Sequence, residues 1–117
     1  MTDSERRELR RRVAGAVHGV VWHGTEPPGH WDGPRADLHR EVAAALAATG
    51  LADPGGRPSP RLRCAVAAHD GAARLVEADG LAEEAGGVPG WYGLAPGLAD
   101  SLVDPMRRVV DEVMAAM

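Results

Sequence analysis

At 117 residues and a formal net charge of -4, the chain has room for one modest core and no general electrostatic attraction to nucleic acid or anionic membrane. A single cysteine excludes an intrachain disulfide and fits a reducing compartment. Phe, Ile, Lys, Asn and Gln are all absent, so Leu, Val, Ala, Met and three Trp must build the interior.

The missing Phe, Ile, Lys and Asn are the residues of A/T-rich codons, which points to a G+C-rich genome. An Ala-rich interior favours close helix packing, because Ala has the best helix propensity and loses no side-chain entropy on burial. The stretch from Thr2 to Arg12 is charged and is not followed by an apolar run of signal-peptide type. The longest apolar runs fall well short of a membrane span. The expectation is a cytoplasmic protein with no membrane partner.

In chain order, Thr2 and Glu5 form a capping-box pattern, and Leu9, Val13, Val17, Val20 and Val21 follow at helical spacing. Gly15 and Gly19 interrupt this first helix four residues apart; a Gly-rich composition accounts for the pair without a packing role. Gly24 to Pro34 reads as a loop with Trp22 and Trp31 at its edges. A second helix is expected over Arg35 to Thr49, with Leu38, Val42, Ala45, Leu46 and Thr49 on its stripe and Pro34 in its first turn. Gly50 suits the left-handed position after it, with Leu51 folding back onto Leu46 in a Schellman stop.

Ala52 to Pro60 is a second loop, in which Ser59 and Pro60 read as N-cap and first position of another helix. Arg61 to Ala78 carries two signals. Leu62, Val66, His69, Ala73 and Val76 recur with helical period, whereas Asp70-Gly71 flanked by alternating apolar residues is a hairpin signal. The Ala content favours helix, either continuous or broken at Asp70-Gly71. Gly86 to Pro96 reads as loop or short extended structure around Trp91-Tyr92. A last helix starts at Pro105, capped by Asp104, with Met106, Val109, Val110, Val113, Met114 and Met117 forming a broad apolar stripe. The fold class expected is mainly α, a single domain over residues 1-117 of four or five helices. At most one short hairpin, between Arg61 and Leu94, would give it a winged-helix-like character.

Five histidines, His18, His23, His30, His39 and His69, invite a metal reading. A two-ligand helical pair needs a spacing of three or four, and His18 and His23 are separated by about 140° around a helix. No zinc pattern can be completed with Cys64 alone. Cys64 has no adjacent base, His69 lying five residues on, and reads as a small buried hydrophobe. The expectation is therefore no catalytic residue, no cofactor and no metal, and no enzyme. A site built from distant residues would be sought first in the loop holding His23, His30, Asp32 and His39. The N-terminal run Arg6, Arg7, Arg10, Arg11 and Arg12 reads as a solvated face, or as a docking surface for an acidic partner or a phosphate backbone.

Two segments resemble known groups. A helix ending near a Trp, a Pro/Trp loop and the helix Arg40-Glu41-Val42-Ala43-Ala44-Ala45-Leu46-Ala47-Ala48-Thr49-Gly50-Leu51 make Leu9 to Leu51 resemble small helical proteins of actinobacteria and their phages. That group has no common activity to carry over. Asp70 to Leu98 is similar to the end of a winged-helix regulator: Tyr92, Leu94 and Pro96 match its terminal Tyr-x-Leu-Thr-Pro, with Ala95 in place of Thr. The resemblance implies a recognition helix and wing. Arg74 is the one basic residue in the former, however, and Glu77, Asp79, Glu83 and Glu84 would repel phosphates.

The function expected is that of a non-enzymatic accessory or regulatory protein acting through contacts with another protein or a second copy of itself. Val109, Val110, Val113, Met114 and Met117 are its candidate interface. The alternative is a winged-helix-like DNA-binding transcriptional regulator using Arg57, Arg61, Arg63 and Arg74.

Overall fold

The computed structural model describes residues 1-78 and 104-117. Among them are four helices: α1 (Asp3–His23), α2 (Gly33–Ala48), α3 (Pro60–Ala78) and α4 (Asp104–Ala116). The chain is mainly helical, as its periodicity implies. The one β feature among the described residues is an isolated bridge between Ala52 and Pro58.

Each helix end is set by its local residues. Thr2 accepts from the Glu5 amide at 3.1 Å and Glu5 returns the bond to the Thr2 amide at 3.3 Å, the reciprocal capping box. Asp32 caps α2 by accepting from the Arg35 amide at 3.0 Å, two residues earlier than the periodicity alone would start the helix. At the other end the Leu51 amide donates to the Leu46 carbonyl at 2.9 Å and the Gly50 amide to Ala47 at 3.2 Å. With Gly50 at φ +76°, this is the Schellman stop that the sequence announces. Ser59 Oγ accepts from the Leu62 amide at 3.2 Å and opens α3. That helix then runs unbroken through Asp70-Gly71, so the hairpin alternative is excluded for Arg61 to Ala78. The remainder of the suggested hairpin, and Tyr92, Leu94 and Pro96, lie outside the described residues.

One apolar cluster joins all four helices. Val13, Val17 and Val20 of α1 meet Val42 and Leu46 of α2, Leu62, Ala65 and Val66 of α3, and Met106, Val109, Val110 and Val113 of α4. Helix α4 packs against each of the other three: closely on α1, α2 and α3 in turn. Two ion pairs fasten it at the surface, Arg10 with Asp111 from α1 and Arg61 with Glu112 from α3, the latter bidentate at 2.7 and 3.1 Å.

This packing corrects the expected interface. Val109, Val110 and Val113 are at most 1% exposed and Met114 is half-buried against the same cluster. The stripe fills this domain's own core and leaves only Met117 at the surface, half exposed. A small domain without Phe or Ile depends on its Val, Leu and Met side chains to close its interior.

Cys64 is corrected as well: it is exposed. The buried face of α3 runs through Leu62, Ala65, Val66 and Ala72, and position 64 lies about 100° away from position 65. Gly19, expected to owe its place to composition, has a packing role. A Cβ there would stand 2.7 Å from the Trp31 ring and 3.1 Å from His39 Nδ1. Gly15, its partner in the sequence pattern, faces open space.

Candidate functional site

Two groups of chemically capable side chains flank α1. The first joins α1 to α3. His18 Nε2 and His69 Nδ1 lie 2.8 Å apart, with ring centroids 4.9 Å apart and planes inclined at 53°. Asp70 Oδ1 stands 3.4 Å from the other nitrogen of His18. The three residues bring one ligand atom each to within 4.8 Å of one another, and they are the one such His/Cys/Asp/Glu group among the described residues. All three are half-buried. The chain of contacts runs Asp70, His18, His69, so the carboxylate orients His18 and one imidazole donates to the other.

Burial lowers the pKa of His18, against the raising effect of Asp70. For His69, burial first and the neighbouring His18 second push the value down to about 4 from 6.5. Both rings are therefore neutral at pH 7. The unfolded chain binds more protons than the folded chain below about pH 6.5. Stability is full above that value and is lost as pH falls towards about 4, where His69 charges in the folded protein too. Thermal melts of the metal-free protein should show this loss between pH 6.5 and 4, and His69→Gln should flatten it. Parallel profiles for the two proteins would contradict this assignment.

The second group gathers around Trp31. His39, from α2, is fully buried, donates from Nε2 to the Gly24 carbonyl at 2.9 Å, and meets Trp31 edge-on at 5.2 Å. Its Nδ1 has no hydrogen-bond partner among the described residues and points at Gly19, where the missing side chain makes the space. His23 and His30 also approach Trp31 edge-on, at 5.8 and 6.5 Å. The loop with His23, His30, Asp32 and His39 thus assembles around an indole ring, and Asp32 is engaged as the cap of α2.

On the outer side of Trp31 the Arg35 guanidinium stacks 4.1 Å from the ring centroid. Here α1 and the start of α2 enclose a cleft of about 430 Å³, lined by Arg12, Gly15 and Ala16 on one side and Trp31, Arg35 and Leu38 on the other. No carboxylate among the described residues pairs with Arg12 or Arg35. Trp22, one residue before His23, is 74% exposed.

The arginines of the DNA-binding alternative are dispersed. Arg57 is in the loop between α2 and α3, where its amide donates to Asp53 at 2.8 Å; Arg63 and Arg74 are exposed on α3. Arg61 is held by Glu112, a carboxylate that lowers its value as a phosphate contact. The His18–His69 contact was missed by spacing along one helix because its members are 51 residues apart. The signal present in the sequence was His69 standing at an apolar-stripe position of α3. No family model, no curated protein and no solved structure matches the chain.

Proposed function

We propose that this domain is a non-enzymatic accessory or regulatory module that acts by binding another protein, through the cleft between α1 and α2 rather than through α4. The observation that carries this reading is the cleft itself. It offers two guanidinium groups without a carboxylate partner among the described residues, Arg12 and Arg35, the latter stacked on the indole of Trp31, and an apolar floor of Ala16 and Leu38. Its volume falls in the range of binding pockets, and Trp and Arg are the side chains that most often dominate interface energy. Trp22, exposed near the C-terminal end of α1, is a second aromatic side chain open to a partner. A partner segment suited to this surface places a carboxylate next to an apolar side chain.

Substitution at these positions separates recognition from folding, because Arg12, Trp22 and Arg35 all lie outside the core. Co-purification from the native host should recover a defined protein with the wild-type chain. That protein should be lost with Arg12→Glu/Arg35→Glu and reduced with Trp22→Ala, at unchanged melting temperatures. Equal recovery with all three chains would overturn the assignment of the cleft. If the recovered partner is a second copy of this chain, light scattering will show a mass that halves on the double charge reversal.

A further inference from the structure

We propose that His18, His69 and Asp70 form a binding site for a divalent first-row transition metal, with zinc the expected ion. The site stands apart from the cleft described above and does not depend on it. Two imidazole nitrogens and a carboxylate are the donor set that borderline ions such as zinc, nickel and copper prefer to the oxygen-only set of calcium or magnesium. The residues come from two helices anchored in one core, α1 through Val17 and Val20 and α3 through Leu62, Ala65 and Val66, with α4 packed against both. The backbone positions are therefore set before any ion arrives.

The present distances fit this use. Two imidazole nitrogens on a tetrahedral zinc, each at about 2.0–2.1 Å, stand about 3.3 Å apart. The 2.8 Å between His18 Nε2 and His69 Nδ1 needs to open by only about half an ångström for that geometry. When the ion takes the place of the proton between the two rings, that proton passes through solvent to His69 Nε2, so both rings stay neutral, His69 protonated on Nε2 and His18 on Nδ1. Asp70, 3.4 Å from His18 Nδ1, either closes onto the ion or accepts from that nitrogen and fixes the ring's orientation. Three protein groups leave at least one coordination position for water or an exogenous ligand, the pattern of an open rather than a closed site.

Half-burial supports binding of this kind: His18 has 21% of its side chain exposed and Asp70 37%, enough for an ion to enter and too little for a freely solvated pair of rings. His23 and His30, exposed beside Trp31, serve as internal controls for nonspecific imidazole binding.

The test is a titration of the full, untagged chain, stripped with a chelator, with zinc at pH 7 followed by calorimetry, and with cobalt followed by its visible absorption. One equivalent of each ion is expected to bind, with cobalt bands of tetrahedral or five-coordinate intensity and a zinc-dependent rise in melting temperature. His69→Ala should abolish the one-to-one isotherm, and the isosteric Asp70→Asn should weaken it about 10–100-fold. His23→Ala and His30→Ala should leave it unchanged. If His69→Ala fails to fold, Asp70→Asn and His18→Gln carry the same prediction. No saturable zinc binding by the wild-type chain, or binding that survives in Asp70→Asn and His18→Gln but disappears in the two control variants, overturns the proposal.

Discussion

Val110→Glu should prevent folding rather than break a dimer. Val110 is fully buried, between Val109 and Val113 of the same helix and in the cluster shared with Val13, Val17 and Leu46. A carboxylate placed in this apolar cluster loses its hydration, at a cost of about 3–5 kcal/mol, before the lost burial of the valine is added. Domains of this size have about 5–15 kcal/mol in total. Circular dichroism should show a largely unfolded chain at 25 °C, or one whose melting temperature has fallen far enough to overlap it. A well-folded variant with half the mass of the wild-type protein would instead return the α4 stripe to the surface. Met117→Glu, at the exposed end of the same stripe, should be tolerated.

Gly56→Ala should be the most damaging Gly→Ala change among the described residues. Gly56 has φ +87°, and a Cβ on it would stand 2.7 Å from both Gly24 Cα and the Thr25 amide nitrogen. Both contacts are to backbone, which has no rotamer with which to yield. The left-handed conformation costs a non-glycine residue about 1–2 kcal/mol, and overpacking adds about 1–3 kcal/mol. Denaturant melts should register a loss of about 2–5 kcal/mol. Gly71→Ala is the matched control: it is helical and meets nothing within 4 Å, so it should stabilise by up to about 1 kcal/mol. Equal effects at the two positions would mean that the loop between α2 and α3 does not sit on the end of α1.

The helix boundaries were legible because capping is local. Thr2 with Glu5, Gly50 with Leu51 and Ser59 with Pro60 each act within about five residues of chain, and each appears where the residue types require it. What was not legible depends on encounters between distant segments. Nothing near His18 in sequence announces His69, and nothing near Gly19 announces that Trp31 and His39 will close over it. The α4 stripe shows the same difficulty from the other side. A wide apolar face reads identically whether its cover is another part of the chain or another chain, and only the packing on α1, α2 and α3 distinguishes them. Cys64 was misplaced because a residue-type tendency towards burial was weighed without the phase of the helix carrying it; Leu62, Ala65 and Val66 define that phase.

The ion pair between Arg10 and Asp111 joins positions 101 residues apart, and the core beneath it needs α4 as much as α1. During synthesis α1, α2 and α3 must therefore leave the ribosome with Val13, Val17, Leu46 and Leu62 still lacking their partners on α4. The closing step has to overcome the entropy of joining positions far apart in sequence before its contacts are gained. Nascent chains arrested ahead of α4 would remain protease-sensitive and adherent to apolar surfaces, while release of α4 would convert them cooperatively to the protected state. Folding of this domain is, on that reasoning, completed after translation of its last helix and not helix by helix.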